Sequence, residues 1–183
     1  MAALCGAIGR PLGVLAVAAT LALATPAAQS SEATKRVAVL DVELLKADYL
    51  PDHDRITPEE RRRLDMIADL VRDRLRLEGY APVSAAQTSA AILAADPGQY
   101  LHECNGCERD IARDLGADWV AVGWVQIVSY LIINFNVVVI DVESGAPVAH
   151  AFVDLRGNTE RSWRRATLYL LDNILVDRLA RRR

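Results

Sequence analysis

The residues with the clearest chemical potential are two cysteines, Cys104 and Cys107, separated by an Asn-Gly pair. Two thiols at this spacing can close a disulfide, act as a redox pair or contribute to a metal site. Haem attachment would need a histidine directly after the second cysteine, where this chain has Glu108. A zinc site needs four ligands, and His102 could add only a third. A structural disulfide is favoured, and a redox pair and a metal site stay open as alternatives.

A second candidate is the acidic segment 48–54, which contains Asp48, Asp52, His53 and Asp54. Carboxylates in a loop can ligate calcium. The spacing differs from that of the twelve-residue calcium loop, and the segment has no glycine for its sharp turn. We therefore interpret it as a solvated loop.

Polar side chains also occur in two apolar segments that read as strands. Asn134 and Asn136 are two residues apart and share one face of their strand, as Trp124 and Gln126 do on the preceding strand. Buried amides need hydrogen-bond partners. These four candidate binding residues either satisfy one another or a loop, or they form a polar patch for binding.

A basic cluster surrounds the start of the last predicted helix. Arg156 and Asn158 precede this helix, and Trp163 and Arg164 follow its start. Asn158 or Thr159 can cap it. Arginines at a helix N-terminus lie at the unfavourable end of the helix dipole and favour an acidic partner, although such an end also attracts anions. The cluster either pairs within the protein or binds an anionic ligand or acidic partner.

Several common catalytic motifs are missing from the sequence. It has no Gly-rich phosphate loop, no His-Glu-x-x-His and no nucleophile elbow. None of the three histidines, His53, His102 and His150, stands beside an obvious Ser or Cys triad. We therefore predict a protein that is not an enzyme, with no catalytic residues, no cofactor and no metal.

Composition and charge restrict the class of protein further. Of the 183 residues, 52% are hydrophobic and 25% are charged, which provides enough apolar material for the core of about one domain. The formal net charge is −3. A negative chain has no general electrostatic attraction for nucleic acid, so no nucleic-acid partner is expected.

The N-terminus has the organisation of a secretory signal peptide. Arg10 is followed by an almost purely apolar run over residues 12–23 and then by small residues that include Ala27 and Ala28. The run has about 12 residues, whereas a bilayer-spanning helix needs about 20. We predict export to the periplasm with cleavage near Ala27 or Ala28, and a retained membrane anchor is the alternative.

Cleavage would remove residues 1–28 and leave residues 29–183 as a single domain without a membrane span. Its start, residues 29–35, is expected to be flexible, and residues 181–183 form a basic tail. Cys104 and Cys107 would then be the only cysteines. An even count in an exported protein indicates a disulfide.

Hydrophobic periodicity and capping signals predict the element order βαβααβββα. The first strand is expected over residues 36–44. Segments 117–128 and 131–142 are apolar on both faces, which is typical of strands in the middle of a sheet. The early strands should pair in parallel and the late ones antiparallel, which gives an α/β fold with a mixed sheet and helices packed on it.

The helices carry their own signals. Thr57 and Glu60 have the spacing of a capping box at the start of the first helix, and Gly79 suits its end. The closing helix is expected over residues 159–180. Its predicted buried side consists of Trp163, Thr167, Leu170, Ile174 and Leu175.

Six short motifs together resemble a known family. They are CNGC at 104–107, LGAD at 115–118, GWVQ at 123–126, LIIN at 131–134, RGNT at 156–159 and SWRR at 162–165. This pattern resembles a family of uncharacterised, exported proteobacterial proteins of unknown function. The element order also resembles the amino-terminal domain of TolB and the periplasmic domain of CsgG-like secretion lipoproteins.

Those proteins are binding and assembly modules. The resemblance therefore implies a periplasmic, non-catalytic module that engages another envelope protein of unknown identity. Two alternatives remain: a thiol-redox or metal-handling accessory protein, and a protein that binds a small anionic molecule.

Overall fold

The computed structural model describes residues 34–182, so the predicted signal peptide and its cleavage site lie outside the described residues. Six strands form one sheet: β1 Arg36–Val39, β2 Glu43–Lys46, β3 Ala81–Pro82, β4 Trp119–Ser129, β5 Ile132–Asp141 and β6 Pro147–Leu155. Their order is β3-β1-β4-β5-β6, and β2 also pairs with β4. The pairs made by β1, β2 and β3 are parallel, and β4, β5 and β6 form an antiparallel meander. The predicted mixed sheet is confirmed.

The helices pack on both faces of this sheet. They are α1 Pro58–Leu77, α2 Ala85–Ala95, α3 Cys107–Asp114, α4 Glu160–Leu170, a π-helical turn Leu171–Leu175 and α5 Val176–Ala180. One hydrophobic cluster joins α1, α4 and α5 to the first face of the sheet. A second, smaller cluster joins α3 and part of α2 to the other face. Within residues 34–182, no helix is long and apolar enough to cross a bilayer.

The single first strand predicted over residues 36–44 is wrong, because the chain forms two strands there. Val39 pairs with Ala121, and Glu43 pairs with Trp124. The chain therefore advances four residues from Val39 to Glu43, while β4 advances three from Ala121 to Trp124. The one extra residue changes which alternate side chains face each side of the sheet, as a β-bulge does. As a result, Glu43 lies on the same face as Trp124.

The first helix follows its sequence signals closely. Thr57 Oγ1 accepts a hydrogen bond from the Glu60 N–H, and the Glu60 side chain accepts one from the Thr57 N–H, which completes the predicted capping box. Gly79 follows the helix with a φ of 82°. The buried side of α1 includes Leu64, Ile67, Ala68, Val71 and Leu75.

The closing helix departs from simple periodicity in one place. Trp163, Thr167, Leu170 and Leu175 are buried as predicted. Ile174 is only partly buried, and Leu171 takes an inward position instead. The π-helical turn explains the difference, because its wider turn changes the phase of the residues that follow.

The second face of the sheet is covered only in part. The core beneath α3 reaches Val120 and Val122 on β4 and Ile140 on β5. The predicted place of segment 131–142 in the middle of the sheet is confirmed, since β5 lies between β4 and β6. Only alternate residues of β5 are buried, so one face of this strand is partly exposed. The far end of β4 and β5, with the neighbouring part of β6, is left without a covering helix.

The docking of α4 can be tested at Leu170, which is fully buried. Leu170→Ala should lower the free energy of unfolding by about 2–5 kcal/mol, the usual cost of truncating a buried leucine. Leu168→Ala is the matched control on the same helix, since Leu168 is 36% exposed. Its effect should stay within about 0.5 kcal/mol. Equal, small losses for both variants in denaturant unfolding would contradict the docking.

Candidate functional site

The uncovered part of the sheet brings together four of the predicted binding residues. Trp124 pairs with Asn136 and Gln126 with Asn134 across β4 and β5. The next strand, β6, places one aromatic and one acidic side chain beside the two asparagines. We call this surface the open face, and it consists of Trp124, Gln126, Asn134, Asn136, Phe152 and Asp154.

The three side-chain amides of the open face differ in their hydrogen bonding. With its amide nitrogen toward β6, Asn134 donates to Asp154 Oδ1 at 2.9 Å. Gln126 and Asn136 form no side-chain hydrogen bond with any other described residue. Gln126 is exposed and Asn136 is half-buried. Two amides therefore remain available to an external partner, while the third is held by its neighbour.

Apolar groups are exposed on and beside the open face. Phe152 is 55% exposed and Ile132 is 54% exposed. At the turn between β4 and β5, Tyr130 and Leu131 are 56% and 77% exposed. Sequence reasoning missed Phe152, although the alternation along β6 put it on the face opposite Ala151.

One end of the open face carries a compact cluster around His102. Its Nδ1 lies 2.6 Å from Glu43 Oε2, and its ring stacks on the Trp124 indole with centroids 4.8 Å apart. The other Glu43 oxygen, Oε1, accepts a hydrogen bond from the Leu101 N–H. The His102 and Glu43 side chains are only 9% and 13% exposed. Glu43 was not among the predicted site residues, because only the bulge between β1 and β2 turns it toward Trp124.

The two cysteines lie beside this cluster and form a disulfide, with Cα atoms 5.7 Å apart, a usual separation for such a bond. Cys107 is the first residue of α3. Cys104 Sγ is 3.1 Å from Glu108 Oε2. If the bond were reduced, this carboxylate would oppose a negative thiolate on Cys104. That electrostatic effect disfavours a reactive thiol at this position.

The disulfide cysteines and Glu108 also carry the atoms that could ligate a metal ion. The ligand atoms of Cys104, Cys107 and Glu108 lie within 4.8 Å of one another. The third potential ligand is therefore Glu108, not the expected His102, whose Nδ1 is held by Glu43. Metal binding would require reduction of the disulfide, because the thiolate is the ligand form of cysteine.

The predicted basic cluster is mostly structural and is separate from the open face. Asn158 Oδ1 accepts hydrogen bonds from Arg63 Nη1 and Trp163 Nε1, both at 2.9 Å. Trp163 is fully buried in the first-face core, so the structure does not present it to a binding partner. Arg156 and Arg164 are exposed. They remain available, but the structure does not group them with Trp124 or the strand amides.

The acidic segment 48–54 is arranged around an ammonium group. Lys46 Nζ donates to the carbonyl oxygens of Asp52 at 3.1 Å and Arg55 at 2.9 Å, and it lies 2.8 Å from Glu60 Oε2. Burial acts to raise the pKa of Glu60, but hydrogen bonds from Lys46 and Thr57 outweigh it and hold the pKa below its usual value. Asp48, His53 and Asp54 are exposed, as the interpretation of a solvated loop predicts, and the buried ion pair joins the residues on either side of the segment.

The described residues thus form a mixed α/β domain whose fold is similar to that of solved bacterial structures. Lipoprotein GNA1162 from Neisseria meningitidis superposes with a TM-score of 0.51 at 11% identity, over 68% of this chain and 82% of that chain. For the LpoB C-terminal domain from Salmonella enterica the TM-score is 0.49 at 17% identity, over 70% and 88%. For TolB from Acinetobacter baumannii it is 0.39 at 10% identity, over 76% and 28%. At such identities the likeness to GNA1162 establishes the fold alone.

The chain belongs to the family DUF3280, described as "Protein of unknown function (DUF2380)", whose profile matches residues 35–175. No curated protein sequence matches it. The expectation of an uncharacterised family is confirmed at this level.

The role of the disulfide can be tested with the double variant Cys104→Ser/Cys107→Ser. We expect it to fold with a modestly lower melting temperature and to keep its partner binding. The two cysteines are only three positions apart, and chain entropy gives about 3 kcal/mol only for a loop of about 15 residues. Thermal unfolding and a binding assay provide the measurements. An unchanged melting temperature together with lost binding would assign the cysteines a chemical role.

Proposed function

We propose that this protein is an exported, non-catalytic module of the bacterial envelope that binds another protein through the open face. The proposal includes residues 29–183 as one domain in the periplasm, after removal of the signal peptide. The observation that carries it is the uncovered sheet surface with Phe152 exposed beside Trp124, Gln126 and Asn136. The fold likeness to a protein named as a lipoprotein supports an envelope location.

The composition of the open face fits protein recognition. Aromatic residues are enriched in protein interfaces and supply much of the binding energy, while amides add directional hydrogen bonds. Here Trp124 and Phe152 flank Asn136, which has no side-chain partner among residues 34–182. The rigid strands beneath them would let these groups meet a partner with little loss of conformational freedom.

The open strand edge offers a further element of the same interaction. β6 is paired only with β5, so it forms one edge of the sheet. An edge strand can accept an additional strand from a partner through main-chain hydrogen bonds. A partner on the open face could therefore also contact the backbone of residues 147–155.

The alternative of a thiol-redox or metal-handling protein rests on Cys104, Cys107 and Glu108. The carboxylate beside Cys104 supports the structural role of the disulfide over a redox role. The second alternative, binding of a small anion, would rest on Arg156 and Arg164. Their exposure is compatible with it, but Asn158 and Trp163, which were grouped with them, are occupied in holding α4.

Export can be tested directly on protein purified from the periplasm of the source bacterium. The apolar run before Ala27 and Ala28 leads us to expect a mature N-terminus near Gln29. Intact-mass measurement and N-terminal peptide mapping would locate it. A full-length chain that begins at Met1 and remains in the cytosol would contradict export.

The open face can be tested with substitutions of two exposed apolar residues. Immobilised protein would capture partners from a periplasmic extract, and the dissociation constant of each identified partner would then be measured. Phe152→Ala should weaken binding at least about tenfold, which corresponds to about 1.4 kcal/mol. Leu77→Ala is the control, since Leu77 is the last residue of α1 and is 80% exposed.

The control variant should bind as the unmodified protein does. If Phe152→Ala binds equally well, or if Leu77→Ala is the damaging change, then the open face is not the binding surface. Thermal unfolding of both variants would show that each remains folded.

A further inference from the structure

A small cavity lies where α3 meets the open face. Its volume is about 190 Å³, or roughly the space of six water molecules at about 30 Å³ each. Its lining combines the apolar side chains of Leu101, Val122, Val138 and Ile140 and the indole of Trp124 with the polar His102 and Asn105. Glu108 also lines it. An apolar cavity with a few converging polar groups is the usual form of a small-molecule site.

Glu108 brings to this cavity a carboxylate with one oxygen that accepts no hydrogen bond from the described residues. Its side chain is 9% exposed, and its Oε2 accepts a hydrogen bond from the Gly106 N–H at 2.8 Å. Its other oxygen, Oε1, forms only a long ion pair with Arg109 Nε at 3.9 Å, beyond hydrogen-bond distance. Oε1 can therefore accept a hydrogen bond from a ligand that carries positive charge and N–H donors.

The other groups at the cavity reinforce this preference. Glu43 is already engaged by the Leu101 N–H and by His102, so its charge is not available. His102 stacks on Trp124 and fixes the orientation of the indole. Aromatic rings attract cations in addition to offering apolar contact. The cavity therefore combines one carboxylate oxygen that accepts no hydrogen bond with apolar and aromatic side chains.

We propose that this cavity binds an ammonium group carried on a short apolar chain, as in a small primary amine. The ammonium group donates to Glu108 Oε1, and the hydrocarbon chain lies against Val122, Val138 and Ile140. Calcium is a poorer fit, because it takes six to eight oxygen ligands and most of the lining side chains are apolar. The site shares Trp124 with the open face, but it does not include Phe152, the residue that tests the proposed partner binding.

The ligand class can be tested by titrating the mature protein with n-pentylamine, followed by NMR chemical shifts. We expect saturable binding with a dissociation constant of roughly 1 mM, typical of a weak, small ligand. Shifts should centre on the Glu108 and Trp124 signals. Pentanol has the same chain without the charge, and pentanoate reverses the charge. Both should bind at least about tenfold more weakly. Equal affinity for pentanol, or no saturable shift with pentylamine, would overturn the proposal.

Two variants test the assigned residues. Glu108→Gln keeps an oxygen for the Gly106 N–H but removes the charge, and it should weaken pentylamine binding at least tenfold. Glu160→Gln is the control, since Glu160 is exposed on α4 and does not line the cavity. Val138→Met fills the cavity from the sheet side, leaves Glu108 intact and should also abolish binding. Binding that survives both Glu108→Gln and Val138→Met would overturn the site.

A lysine side chain of a polypeptide has the same chemistry as a free alkylamine. An acetylated and amidated Gly-Lys-Gly peptide separates these sources. If this peptide displaces pentylamine at similar concentrations, the result supports a lysine side chain as the ligand. If the peptide does not displace pentylamine, the result supports a free amine.

Discussion

The two-sided burial of β4 is the constraint that organises the rest of the molecule. Its first five residues are all buried, so helices must cover both faces of the sheet at that point. The first face receives the long α1 and the closing α4. The second face receives α3, whose eight residues extend only about 12 Å at 1.5 Å per residue. An eleven-residue strand extends about 37 Å. Because α3 is too short to cover the whole length of β4, part of the second face stays uncovered, and this part is the open face.

The β-bulge between β1 and β2 determines which polar side chains lie beside the open face. Without the extra residue, Glu43 would point into the first-face core, where a carboxylate would be costly to bury. With it, Glu43 holds His102, and His102 in turn stacks on Trp124. The disulfide then anchors the segment that carries His102 to the start of α3. The open face, the His102 cluster and the cavity beside Glu108 are thus consequences of one strand irregularity and one short helix.

Local signals in the sequence were sufficient for the parts of the fold that depend on near neighbours. The capping box of Thr57 and Glu60 and the start of α4 at Thr159 follow from residue type and spacing. Alternation also placed Trp124 with Gln126, and Asn134 with Asn136, on common faces. Hydrophobic periodicity does not predict where a strand or a helix becomes irregular. The bulge before Glu43 and the π-helical turn after Leu170 are set by packing with distant residues, so the sequence pattern alone led to one strand and one regular helix.

Contacts between residues that are distant in the sequence were equally hard to predict from the sequence. Trp163 was predicted both as a buried residue of the closing helix and as a candidate binding residue, and the structure confirms the buried position, where Trp163 donates a hydrogen bond to Asn158. The segment 48–54 was considered for calcium because of its carboxylates. The cation beside it is instead the Lys46 ammonium group, which is held by two main-chain oxygens and by the Glu60 carboxylate. That cation is covalently tethered to the chain. Its effective concentration at the loop is set by the fold, and changes in the ionic composition of the surroundings cannot deplete it. The connection between β2 and α1 therefore brings its own counter-ion to the Glu60 carboxylate.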